Sequence, residues 1–166
     1  MVSFQDALAA GKITTEQAHE LFDSLDAVKP SELRGLWQGS EFPTGSSSDG
    51  LLSASGWFGK RFTSDDHVDP LVFYTKKKDP AADGKGGDSS NDDGLFAADP
   101  PKATALFLQG AYVPNHQAEC ETQESGARLR HVEYRGVVTA SMIYNQLPII
   151  DHFRRVDDNK LLGGYG

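Results

Sequence analysis

Gly35-Leu36-Trp37-Gln38-Gly39 sets a large indole between two glycines. It lies directly behind Leu33-Arg34, where a polar N-terminal stretch gives way to apolar, β-prone sequence. Each glycine removes a side chain and lets backbone or ligand come close. A Trp is costly to leave in water and needs an acceptor for its N–H once buried. The motif therefore predicts a first strand whose Trp37 plugs one end of a small β-structure, with the glycines letting the indole lie flat.

The rest of the chain fits one such unit. At 166 residues it is one domain's length and can bury about two-thirds of its unfolded surface. Hydrophobic content of 38% and aromatic content of 10% are enough for a packed core. A net charge of −8 argues against nucleic acid or an anionic membrane surface as partner. Much of that acidity is local, with six Asp against the single Lys85 between Asp79 and Asp99. The single Cys120 excludes an internal disulfide and suits a reducing compartment. No apolar run is long enough for a membrane span, and the first residues lack a signal peptide's basic start and apolar run. The expected setting is the cytoplasm.

Residues 1–28 read as a helical segment, with residues 29–166 as a β-domain. Phe4, Leu8 and the alanines form a short apolar face ending at Gly11, a C-terminal cap. Thr14 and Gln17 make a capping box. Behind it, Ala18, Leu21, Phe22 and Leu25 form one helical stripe. His19 falls off that stripe, on the solvated side. The helical pair is expected to cover a barrel opening or an exposed edge strand.

From Leu51 to Gly59 the chain is either a short helix followed by a strand or a loop over a barrel mouth. Trp57 and Phe58 beside Lys60 and Arg61 could grip an amphipathic molecule, rings on its body and cations on its head. The same residues also read as core aromatics flanked by surface cations. Leu71 to Tyr74 is a strand, and Lys76-Lys77-Lys78 reads as its solvated end. Asp79 to Gly94 is nearly all Asp, Gly, Ser, Asn and Lys, which predicts a mobile insertion at 79–94. Leu95-Phe96 resume the sheet, Pro100-Pro101 break it, and Ala103 to Leu108 is a strand or a short helix.

Arg128 to Tyr144 alternates as one long strand, with Gly136 as a bulge or sharp bend. That spacing would put Val132, Tyr134, Val138, Ala140 and Met142 on one face, with His131 and Glu133 on the other. Asn145 to Pro148 turns, Ile149 to Val156 returns, and Leu161 to Gly164 is a last short strand. Sequential strands with tight turns predict an up-and-down antiparallel barrel.

Four segments together resemble the GXWXG family, in which a GXWXG domain precedes a domain of unknown function. They are Arg34 to Gly39, Gly56 to Phe62, Val132 to Tyr144 and Pro148 to Asp158. The resemblance runs in family order from about residue 10 and implies a small antiparallel, calycin-like (lipocalin-like) β-barrel. It brings no established reaction. The motif positions it carries over are Trp37, Trp57, Lys60, Tyr134, Tyr144, Asp151 and His152.

Adjacent on a strand, Asp151 and His152 must point to opposite faces, so one of them should face the lumen. His152 could act as a general acid or base, or simply satisfy a backbone carbonyl. Asp151 is expected to pair with Arg154 or Lys60. The catalytic candidates are His152, Asp151 and Lys60. Trp57, Phe58, Tyr134, Met142, Tyr144 and Trp37 are the ligand-binding candidates. The scattered histidines do not suggest a metal site, and no cofactor is expected. Haem is a fainter alternative, with His152 as axial ligand. Two functions follow: binding of a lipid or hydrophobic metabolite in the barrel, or cofactor-independent isomerisation or cyclisation by acid–base catalysis in the same cavity. Oligomers are possible.

Overall fold

The computed structural model describes residues 2–76 and 94–165. The insertion read at 79–94 falls outside the described residues, Gly94 excepted. Two short helices open the chain. In α1 (Phe4–Ala10), Ser3 caps the start and Gly11 ends it in the left-handed conformation. α2 (Thr15–Ser24) starts with the expected Thr14–Gln17 capping box; Leu21 and Phe22 are buried and His19 is exposed.

Nine strands make one sheet: β1 (Asp26–Ala27), β2 (Gly35–Gln38), β3 (Trp57–Phe62), β4 (Val68–Tyr74), β5 (Leu95–Ala97), β6 (Ala127–Tyr134), β7 (Val137–Tyr144), β8 (Ile150–Asp157) and β9 (Lys160–Tyr165). All pairings are antiparallel. The ladder runs β1-β8-β7-β6-β4-β3-β2, with β5 added to β4 and β9 to β8. Among the described residues its ends do not pair, so the hydrogen-bonded closure expected of a barrel is not formed. The end strands are short, two residues in β1 and four in β2, and offer little ladder to join.

The sheet is nevertheless tightly curled. Phe62 on β3 meets Phe153 on β8 edge to face, with centroids 5.8 Å apart. These strands lie four spacings apart in the ladder, roughly 19 Å if the sheet were flat. The enclosed face carries the main core, with Leu129, Ala140, Met142, Phe62 and Phe153 packed with Leu33 and Val28.

Residues 128–144 depart most from expectation. They form a hairpin, not one long strand: β6 and β7 pair from Ala127↔Tyr144 to Tyr134↔Val137. Arg135 and Gly136 form the two-residue turn, with φ of 52° and 76°. Two positive φ values match the right-handed twist of the flanking strands. Reversal of the chain there moves Val132 and Tyr134 off the face holding Ala140 and Met142. Leu129, opposite Met142, takes their place.

Other ambiguous segments resolve simply. Residues 51–62 are a short helix, α3 (Leu51–Ala54), followed by strand β3. Pro100-Pro101 open a helix, α4 (Pro100–Leu108), at positions needing no N–H, and the Asp99 side chain accepts from the Lys102 N–H. This helix covers Leu71, Phe73 and Phe96 in a second core that includes Cys120. The N-terminal pair lies on the sheet's other face. Phe22 of α2 meets the Tyr134 ring with centroids 5.9 Å apart and closes over Gly164 of β9.

Candidate functional site

The Gly-x-Trp-x-Gly segment positions two indoles. Trp37 donates its N–H to the Leu33 carbonyl at 2.8 Å and packs on the main core. Gly39 makes room for a different indole: a Cβ there would lie 2.1 Å from the Trp57 ring. Gly59, the cross-strand partner of Gln38, is equally constrained, since a Cβ there would sit 1.9 Å from the Trp37 carbonyl oxygen. β3 is irregular around this point, with register shifts on both sides of Gly59.

Lys60 follows Gly59 on β3 and is the cross-strand partner of Trp37 on β2. Its ammonium lies 3.1 Å from Asp151 on β8, and its Nζ donates to the Pro70 carbonyl at 3.3 Å. The ring centroids of Trp57 and Tyr144 are 5.7 and 5.9 Å away. The ion pair therefore spans the curl between strands that share no backbone hydrogen bonds. Its side chains are only 18% and 16% exposed, beside a cluster otherwise apolar. The Trp57 N–H is buried without an acceptor among the described residues.

Burial works against the Lys60 charge, but Tyr144 and Asp151 outweigh it and hold the lysine pKa above its ordinary value. Burial also raises the Tyr144 phenol; Lys60 opposes that rise and Asp151 adds to it. At neutral pH the site thus holds an ammonium and an intact phenol. Both are proton donors.

His152 points the other way. Its Nδ1 shares a 2.7 Å hydrogen bond with the Ser141 hydroxyl, and its ring stacks on Tyr134 with centroids 3.9 Å apart. Burial lowers its pKa; Asp151 opposes this and Arg154 reinforces it. Arg154, on the same face, is fully buried beneath Phe22, 5.0 Å from that ring. One of its amino groups donates to the Tyr134 carbonyl at 3.2 Å.

Of the expected residues, Lys60, Asp151, Tyr144, Met142, Trp57 and Trp37 are gathered on or beside the enclosed face. Tyr134 and His152 lie together on the opposite face because the hairpin reverses there and strand neighbours alternate. Phe58 leaves the group for Tyr74, at 5.3 Å between centroids, and Arg61 turns to Asp69. Asp151 takes Lys60 as partner, not Arg154. A haem bound through His152 does not fit, since that imidazole is stacked and hydrogen-bonded beneath a helix, away from the enclosed face. No group of His, Cys, Asp or Glu among the described residues could hold a metal ion.

Sequence reasoning missed Ser141 and the depth of Arg154. Ser141 becomes the visible partner of His152 only once the β7–β8 register is known. A surface cleft of about 510 Å³ lies between Lys12–Gln17 and Thr44–Gly45, and one of about 120 Å³ lies beside Arg61, His67 and Asp69. Neither is lined by Lys60 or Asp151.

No functionally curated protein matches the sequence. The fold is similar to a crystal structure of a protein from Thermomonospora curvata, at 29% identity and a TM-score of 0.65, over 98% of this chain and 84% of that one. Residues 20–78 match the GXWXG protein family, and residues 125–165 match a domain of unknown function (DUF4334). The first match holds Trp37, Trp57 and Lys60, the second Tyr144, Asp151 and His152. The chain is a GXWXG protein with that second domain following it, and its polar site joins the two.

Proposed function

We propose that this protein binds a small hydrophobic molecule, a lipid or hydrophobic metabolite, against the enclosed face of a calycin-like cup. The observation that carries the reading is the Lys60–Asp151 ion pair, set between two aromatic rings at the edge of an apolar cluster and still partly open to solvent. Removing charges from water is costly, and apolar residues of similar volume often serve stability as well or better. A binding site has a use for such a pair: a few polar groups on an apolar wall orient one end of a guest.

A second reading uses the same residues as a cofactor-independent isomerase or cyclase. What favours it is placement: the Lys60 ammonium lies 3.1 Å from Asp151 and 5.9 Å from the Tyr144 ring centroid, so two groups able to donate hydrogen bonds are near enough to meet one carbonyl. Asp151 then positions Lys60, and His152 takes no part.

Titration with the neutral fluorophore N-phenyl-1-naphthylamine tests binding, alongside native mass spectrometry of the purified protein for a copurified guest. Lys60→Met and Tyr144→Phe should weaken probe binding several-fold, while His152→Gln leaves it unchanged. Equal loss at His152 contradicts the assignment. A chemical change in a bound guest, lost in Tyr144→Phe, selects the enzyme.

A further inference from the structure

We infer that the guest presents an uncharged oxygen, as in a ketone, ester or alcohol, and that this oxygen accepts from the Trp57 indole N–H. The inference rests on the binding reading above and specifies its ligand class.

Charge balance is the first argument. Asp151 at 3.1 Å already matches the Lys60 ammonium. The nearby Arg155 is paired with Glu32, and Arg154 lies on the opposite face beneath Phe22. A carboxylate entering here adds a negative charge that neither Lys60 nor these two arginines is placed to balance, in surroundings that solvate it poorly.

The donor inventory is the second. An ammonium has three N–H groups. Lys60 is already engaged, with Asp151 at 3.1 Å and the Pro70 carbonyl accepting at 3.3 Å. Trp57 Nε1–H is a neutral donor, buried and without an acceptor among the described residues. Leaving such a group unmet is costly, so an oxygen brought to it is favoured in proportion. The Trp57 ring is held in place by Gly39, where no side chain would fit. The ring that carries this donor is therefore fixed near Lys60, whose Nζ is 5.7 Å from its centroid, and it also packs on the second core. Burial keeps the Tyr144 phenol protonated, a second neutral donor whose ring centroid lies 5.9 Å from the Lys60 Nζ.

Competition of 2-undecanone, 2-undecanol and undecanoic acid against N-phenyl-1-naphthylamine at pH 7.5 separates the classes at equal chain length. The ketone and alcohol should displace the probe at least about tenfold more tightly than the acid, as expected when an unpaired charge is desolvated. Trp57→Phe keeps an aromatic ring, smaller than the indole, and removes the N–H; it should weaken the ketone several-fold and the acid less. Asp151→Asn leaves Lys60 without its counter-charge and should reverse the order, so that the acid binds better than the ketone. An acid that binds as tightly as the ketone to the unaltered protein overturns the inference but leaves the binding reading standing. So does a ketone indifferent to Trp57→Phe, or an order unchanged by Asp151→Asn. If neither the probe nor any of the three ligands binds, the binding reading falls and the inference with it.

Discussion

Strand β8 presents neighbouring residues to opposite sides of one sheet, and the two sides treat polar groups differently. On the enclosed side, Asp151 meets Lys60 across the curl, both retain some contact with water, and the Trp57 ring centroid lies 5.7 Å from the ammonium. On the helix-covered side, His152 is only 4% exposed and Arg154 is fully buried; a serine, a stacked tyrosine and Phe22 seal them. Polar groups that stay reachable can act on a ligand. Polar groups closed beneath a helix act on the fold, fixing how α2 seats on the sheet. Adjacency in sequence is therefore a poor guide to shared function on a strand, where successive side chains part company.

The largest effects should come from the aromatic residues anchoring each side. Trp37→Ala on the enclosed side and Phe22→Ala on the covered side should each cost about 3–5 kcal/mol in chemical denaturation. At temperatures where both variants stay folded, Phe22→Ala should bind probe normally. A binding loss confined to Phe22→Ala would overturn the division of roles.

A smaller effect is expected for the ion pair. Lys60→Met should destabilise by about 2–3 kcal/mol, less than a fully buried pair because both side chains keep some solvent. Combining it with Asp151→Leu should recover most of that loss while binding stays impaired, since neither charge is then left alone. A double variant no more stable than Lys60→Met alone would contradict that recovery and show that the pair is retained for stability.

The smallest effect is a pH slope from the covered side. His152 has its folded pKa lowered by burial, so the folded protein resists a proton that the unfolded chain accepts. Stability is full above the ordinary histidine range and falls as pH drops below about 6.5. His152→Gln should flatten that slope between pH 6.5 and 5 in thermal melts. An unchanged slope would show that this imidazole is not what acid attacks.

Much of this architecture was legible because it is local. Gly11, the Thr14–Gln17 box and the strands around Leu71 and Ile150 follow from short-range rules. What escaped was set by one dihedral choice and by distance. The sequence Tyr134-Arg135-Gly136-Val137 fits both a bulge and a tight turn, and only the turn sends Tyr134 to the side of His152. The purpose of Gly39 was equally hidden, because the ring it accommodates belongs to Trp57, eighteen positions away. Lys60 was one of two partners expected for Asp151, and the choice of it over Arg154 depends on the curl of the whole sheet. Arg154 gave no sign of its depth, since charged residues are rarely so enclosed.

The central claim is that ligands engage the Lys60 side of β8 and not the His152 side. Two tryptophans give two indole N–H resonances in a ¹⁵N-correlated spectrum, one for each indole of the GXWXG corner. Titration with 2-undecanone should move the Trp57 resonance progressively, while that of Trp37, whose N–H is already held by the Leu33 carbonyl, stays in place. Saturating ligand that leaves Trp57 unmoved while shifting amides of α2 and the β8–β9 surface beneath Phe22 would contradict the account.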